Sequence, residues 1–211
     1  MDSSWTEEQL AFKKAVINSA QKELNQGFLE RHRKGEFSRE NWKKCAQFGI
    51  HGLAVPEEYG GSGSDILTTM LTMEGLGYGC RDNGLIFAIN AQMWSVQHPI
   101  LRFGTEAQKR KYLPGLCSGD LIGAHGMSEP DSGSNAYSLR TRAERRDGGY
   151  VLNSTKMFVT SASICDVAVV FATVDPAQDI GGITAFLERI PFEFTPLHNH
   201  NERTTQEHLP A

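Results

Sequence analysis

The sequence predicts an α+β fold: an N-terminal all-α bundle followed by an antiparallel β-barrel-like domain that reads as incomplete at its C-terminal end. Three observations predict it. Capping boxes at Thr6/Gln9 and Thr105/Gln108 open helices at the two ends of the first half. Between them, apolar residues recur three or four apart. After Ser118-Gly119-Asp120 the pattern changes to short apolar runs separated by Gly, Asp and Asn turns. The division expected is a helical domain over 1–118, a β domain over 119–190 and an irregular tail over 191–211.

The first helix should start at Glu7 and present Phe12, Val16, Ile17, Ala20, Leu24 and Phe28 on one face, with Gly27 marking its end. The basic run Arg31-His32-Arg33-Lys34 reads as a solvated surface. A second helix runs from Ser38 to Phe48, with Trp42, Cys45 and Ala46 inward and Gly49 as its stop. Pro56 and the glycines of Gly52 to Gly63 make a structured turn. Asp65 caps a third helix with Ile66, Met70, Met73 and Gly77 on its core side, methionines at that spacing being packing residues. Gly84 to Phe103 is the most apolar segment and should be a central helix buried nearly all round, interrupted at His98-Pro99 and closed by Gly104. His98 reads as structural. A short helix then runs to Leu113-Pro114. Strands are expected at Leu121–Ala124, Arg140–Arg145, Tyr150–Leu152, Met157–Thr160, Val167–Phe171 and Ile183–Leu187. Pro191 to Ala211 shows little alternation and is not expected to supply good strands, so the sheet's edges are expected to stay open.

Composition excludes several classes. The chain has 211 residues, a formal net charge of −4 and 39% hydrophobic residues, enough for one large domain or two small ones. Mild acidity offers no nucleic-acid footprint. Cys45, Cys80, Cys117 and Cys165 form no CxxC pair and read as free thiols of a reducing compartment, with no metal site. The acidic start is neither a signal nor a transit peptide. Gly84 to Trp94 is too short to span a membrane and contains Asn90 and Gln92. A cytoplasmic protein without membrane or nucleic-acid partners is expected.

The candidate site is Gly126-Met127-Ser128-Glu129-Pro130-Asp131-Ser132-Gly133-Ser134-Asn135. Pro130 and Gly133 forbid a continuing helix or a central strand. The small donors around them suit an oxygen-rich or flat heteroaromatic ligand. On local composition alone an ordinary hairpin loop is the favoured reading.

Four stretches in order resemble the acyl-CoA dehydrogenases, flavin enzymes that desaturate acyl thioesters. They are Leu53-Ala54-Val55-Pro56-Glu57-Glu58-Tyr59-Gly60-Gly61, Phe103-Gly104-Thr105-Glu106 through Pro114, Met127 through Asn135, and Asn153-Ser154-Thr155-Lys156-Met157-Phe158-Val159-Thr160. The resemblance covers nearly the whole chain up to about Leu187. It implies FAD as cofactor, contacted by Met127, Ser128, Gly133, Ser134, Phe158, Val159 and Thr160. The Ser128 hydroxyl and backbone would meet the pyrimidine edge of the ring, with the Met127 backbone joining. Phe158 would pack beside the ring, and Thr160 would approach the hydride-accepting N5. Ser134 would also meet the substrate's pantetheine arm. From the residues alone, Phe158 reads equally as a core aromatic, and Thr160 as an ordinary strand residue.

The chain departs from the family pattern in three ways. Asn135 stands where an Asp is usual, and His125 where an aromatic is common. The family's third, helical domain, which supplies the catalytic glutamate, has no counterpart, so the resemblance assigns no catalytic base. The implied partners are an acyl-CoA or acyl-carrier-protein thioester, with electron-transfer flavoprotein or oxygen as electron acceptor. A homo-oligomer or a complementing C-terminal chain is also implied. The alternatives are a non-catalytic partner subunit or thioester-binding module, and a related flavin oxidase or monooxygenase.

Overall fold

A computed structural model describes residues 4–189, 203–205 and 207–208. The chain divides into two compact units, residues 1–93 with 110–120, and residues 94–109 with 121–211. The expected order holds: helices first, then a sheet.

In the first unit, α1 spans Glu7–Glu23. Its capping box is reciprocal: Thr6 Oγ1 accepts from the Gln9 N–H at 3.2 Å, and Gln9 Oε1 accepts from the Thr6 N–H at 3.0 Å. The helix ends at Glu23, before Gly27. Gly27 takes a left-handed φ of 65° and instead opens an unexpected helix, α2 (Phe28–Lys34), which carries Phe28 and no buried residue. Arg31 to Lys34 form its last turn, where cations suit the helix dipole. In α3 (Arg39–Gln47), Ser38 caps the Asn41 N–H, and Trp42, Cys45 and Ala46 are buried as expected.

The turn after α3 depends on glycine at one point. A Cβ on Gly61 would lie 1.9 Å from the Val55 carbonyl oxygen and 2.5 Å from that of Gly52. The close approach lets the Ser62 N–H bond Gly52 O at 2.9 Å and the Gly63 N–H bond Val55 O at 2.8 Å.

Asp65 caps α4 (Ile66–Gly79) as expected, but the helix turns a different face inward. Ile66 and Met70 are 63% and 51% exposed, Gly77 is exposed, and of the expected stripe only Met73 is buried. The buried side carries Thr69, Thr72, Leu76 and Gly79. Two facts explain this. A Cβ at Gly79 would stand 2.7 Å from Ile17 O and 2.8 Å from Ala20 Cβ, so α1 approaches along the small-residue side. The two threonines can be buried because each hydroxyl bonds back into the preceding turn, to Asp65 O at 2.9 Å and Thr68 O at 2.8 Å.

The expected central helix is three pieces: α5 (Asn83–Gln92), a π-helical turn (Met93–Gln97) and α6 (His98–Phe103), with Pro99 in the first turn of α6. It is not buried all round, since Phe87 and Phe103 are 64% and 56% exposed. His98 is exposed beside Trp94, with 6.3 Å between ring centroids. The Thr105/Gln108 box opens α7 (Glu106–Cys117), which runs past Pro114.

At the heart of the first unit lies His51, 1% exposed. Its Nε2 lies 3.1 Å from Trp42 O and its Nδ1 3.3 Å from Gln92 Nε2, which also donates to Leu116 O at 3.1 Å. These partners suit the neutral tautomer, with Nε2–H donating and Nδ1 accepting. Burial pushes the imidazole down to about 4. Burial likewise raises the Cys45 thiol to about 12 and the Cys117 thiol to about 11, which disfavours the nucleophilic thiolate at both.

The second unit is built on a sheet of β1 (Gly123–Gly126), β2 (Arg142–Arg146), β3 (Gly149–Asn153), β4 (Val167–Thr173), β5 (Ile183–Arg189), β6 (Arg203–Thr205) and β7 (Glu207–His208). The β2–β3 hairpin and the β4–β5 pair are antiparallel, but β1 runs parallel to β4, so the sheet is mixed. Strand β1 lies two residues beyond the expected Leu121–Ala124, because Asp166 Oδ2 and Ile122 bond each other's segments just before the ladder begins. Residues 157–160 form no strand.

The tail corrects another expectation. Within 191–211, β6 pairs with β3 and β7 with β5, although one sequence position separates the two strands. The order β6-β3-β2-β4-β5-β7 therefore begins and ends with neighbouring residues, which brings the two edges of the sheet together. Edge pairing runs through the backbone and does not require alternating side chains. The core of this unit holds Ala124, Leu152, Val170, Ala172 and Phe186, with Tyr150 edge-on to Phe186 at 5.1 Å.

Candidate functional site

The loop after β1 is held by a buried carboxylate that the sequence reading left without a role. Glu129 is 7% exposed. It accepts from the Arg140 N–H at 2.6 Å, the Thr141 N–H at 3.0 Å, the Thr141 hydroxyl, and Lys156 Nζ at 2.7 Å. Lys156 Nζ also donates to Met127 O at 3.1 Å. Across the loop, Glu129 and Ser132 exchange backbone hydrogen bonds at 2.9 and 3.2 Å, and the Ser132 hydroxyl bonds Asn135 O at 2.8 Å. Burial alone would raise the Glu129 pKa, but the bonds from Lys156, Thr141 and the two backbone N–H groups outweigh it and hold the carboxyl below its usual range. Burial lowers Lys156, and the bond to Glu129 partly restores it. The two groups have the geometry of a buried ion pair. Sequence carried a signal for it: both residues lie inside the two stretches that resemble flavin segments.

This brace brings the expected site segments together. The Met157 N–H donates to Ser128 O at 2.8 Å, so the loop 127–135 and the segment 156–160 are joined backbone to backbone. Met127 and Ser128 are half-buried beside that joint, and Val159 packs on the sheet core. Gly133 and Ser134 lie exposed further along the loop, and a Cβ at Gly133 would meet open space. Ser128 and Thr160 are half-buried, and among the described residues their hydroxyls have no hydrogen-bond partner.

Phe158 is neither a strand residue nor a core aromatic. It is 89% exposed and takes a left-handed φ of 55°. For a non-glycine residue that conformation costs about 1–2 kcal/mol, and the ring stands almost wholly in the open. Thr160 lies in a turn, followed by Ser161 at φ 63°. His125 fills its position as an aromatic would, with its ring edge-on to Phe171 at 5.2 Å. Burial, with the nearby Lys156 charge, lowers its pKa. Among the described residues no group of His, Cys, Asp and Glu is placed to hold a metal, and no helix is long and apolar enough to cross a membrane.

Comparison with known proteins is decisive about kinship. Residues 6–120 match the acyl-CoA dehydrogenase N-terminal domain, and residues 124–191 match the acyl-CoA dehydrogenase middle domain. The chain belongs to the acyl-CoA dehydrogenase family. Among its relatives, an acyl-CoA dehydrogenase of Bacillus subtilis is 38% identical over 182 residues, covering 86% of this chain and 48% of the relative. The solved prolyl acyl carrier protein oxidase AnaB matches with a TM-score of 0.92 at 39% identity, covering 99% of this chain and 60% of that one. The structure of PigA with FAD and proline matches at 0.90 and 31% identity, with 100% and 60% covered. The chain thus spans about half the length of the relatives it matches. Of the four stretches that carried the resemblance, those at 53–61 and 103–114 lie in the first matched domain and those at 127–135 and 153–160 in the second.

Proposed function

We propose that this chain is the flavin-holding portion of an acyl-CoA dehydrogenase-type enzyme that oxidises an acyl thioester to its α,β-unsaturated form. One observation carries the reading: the Met157–Ser128 bond, braced by Glu129 and Lys156, joins the two segments whose free groups suit a flavin ring. The hydroxyls of Ser128 and Thr160, without a hydrogen-bond partner among the described residues, supply donors at a half-buried site. The exposed ring of Phe158 supplies a flat apolar face, and a planar ligand laid on it would offset the backbone strain.

In this reading Met127, Ser128, Gly133, Ser134, Phe158, Val159 and Thr160 hold FAD, and Ser134 also meets the thioester's pantetheine arm. FAD, when bound, accepts the hydride that leaves the substrate's β carbon. The chain's own contribution is to orient. Ser128 fixes the pyrimidine edge, Thr160 addresses the reactive nitrogen, and Phe158 shields one face from water. Removal of the α proton needs a positioned carboxylate. Glu129 cannot serve, because its oxygens are taken by four donors. We assign the base to a helical portion supplied by the same protein or by a complementing chain. The domain division 1–118, 119–190 and 191–211, a cytoplasmic setting, and electron-transfer flavoprotein or oxygen as acceptor belong to the same proposal.

A second substrate reading rests on AnaB, a prolyl acyl carrier protein oxidase matched over 99% of this chain. It makes a prolyl thioester on a carrier protein the substrate instead of acyl-CoA.

The test is FAD affinity by fluorescence titration of the purified chain and its variants. Ser128→Ala and Thr160→Ala each remove about one neutral hydrogen bond, near 1 kcal/mol, and are expected to weaken FAD binding about fivefold. Unchanged affinity in both variants contradicts the assignment. Addition of butyryl-CoA or a prolyl-pantetheine thioester to the FAD-loaded chain then separates the two substrate readings by which of them perturbs the flavin spectrum.

A further inference from the structure

The brace behind the loop does more than hold it. The Met127 carbonyl and the Ser128 N–H belong to one amide. Lys156 Nζ donates to that carbonyl at 3.1 Å, and the same ammonium is 2.7 Å from Glu129 Oε1. The Lys156 and Glu129 side chains are 10% and 5% exposed, so solvent screens neither strongly. A cation on an amide oxygen draws electron density toward the oxygen and makes the N–H of that amide a stronger donor. Here that N–H lies at the half-buried joint between loop 127–135 and segment 156–160.

We propose that Lys156 is a positioning residue that polarises the Met127–Ser128 amide toward the flavin, and that Glu129 orients Lys156 and tempers its charge. This rests on the flavin reading above. A reduced flavin carries negative charge along its pyrimidine edge, and a strengthened donor there favours the reduced form over the oxidised one. Lys156 therefore sets the reduction potential of the bound flavin without touching it. Glu129 and Lys156 pull that potential in opposite directions.

The experiment is the two-electron reduction potential of the FAD-loaded chain, measured by dye equilibration, for wild type and four variants. Lys156→Met is expected to weaken the preference for reduced flavin about tenfold, a shift of about 30 mV to more negative potential for a two-electron couple. Glu129→Gln removes the tempering charge and shifts the potential positively. Lys156→Arg keeps the cation and restores most of the wild-type value. Should Lys156→Met fail to fold, the double variant Glu129→Gln/Lys156→Met buries no lone charge, and its potential is expected to lie below that of Glu129→Gln alone. A merely structural brace predicts shifts of the same sign in Lys156→Met and Glu129→Gln, and that result overturns the proposal. If the wild-type chain takes up no FAD, the flavin reading fails, and the polarisation is read instead from the Ser128 amide proton by NMR. An upfield move in Lys156→Met but not in Glu129→Gln supports the polarised amide, and an unmoved resonance refutes it.

Discussion

His51 shows what a single buried group does to this protein. Its ring accepts from Gln92 and donates to Trp42 O in a packed interior. Its folded pKa of about 4 lies below the unfolded value of about 6.5. Above pH 6.5 the ring is neutral in both states and adds no pH dependence. As pH falls from 6.5 to 4, the unfolded chain takes up a proton that the folded chain refuses. Stability should drop by up to ~1.4 kcal/mol per pH unit, about 3 kcal/mol in all, and level off below pH 4. Urea unfolding followed by tryptophan fluorescence at pH 7 and pH 4.5 checks this. His51→Gln should be less stable at pH 7 yet show a flatter dependence, and equal slopes would contradict it. The same scale shows what the sequence concealed. The resemblance points to Ser128, Phe158 and Thr160, but neither composition nor spacing points to the pairing of Glu129 with Lys156. Their link spans 27 positions and follows only from the path of the loop. Nor did composition reveal that Phe158 would sit exposed in a left-handed turn, since an aromatic in an apolar run reads as core.

At the scale of elements, helix starts were the most legible feature because their chemistry is local. Thr6, Asp65 and Thr105 cap as expected, and the helix expected from Ser38 starts one residue later with Ser38 as its cap. Faces were less legible because a neighbouring helix decides them. On α4 the methionines suggested one side, and the close approach of α1 at Gly79 selected another. The contrast is testable on one helix. Gly79→Val forces a side chain against Ile17 O and Ala20 and should cost about 1–3 kcal/mol. Gly77→Ala, which meets nothing within 4 Å, should stabilise by up to about 1 kcal/mol. Thermal melts of the two variants should shift in opposite directions, and a shared direction would refute the packing argument. Gly27 opens α2 and does not close α1 for a related reason: a glycine in left-handed geometry ends one helix as readily as it opens the next. The strands β6 and β7 escaped notice because they join edges through backbone bonds, while sequence patterns report side chains.

For the whole molecule, the change of period near residue 120 announced a helical unit followed by a sheet, and family membership agrees with that order. Composition could not reveal that the sheet is mixed or that its edges meet, since parallel pairing of β1 with β4 links residues more than 40 positions apart. The chain covers about half of its relatives' length, and in the proposed reading its share of the chemistry is to hold FAD. The most direct test is the absorbance spectrum of the purified chain, after incubation with FAD and removal of the excess. A stoichiometric flavin band in the near-ultraviolet and blue is the expected result, and it would show that the cradle between Ser128 and Thr160 forms in this chain. A protein that stays colourless would contradict the central claim that this chain holds FAD.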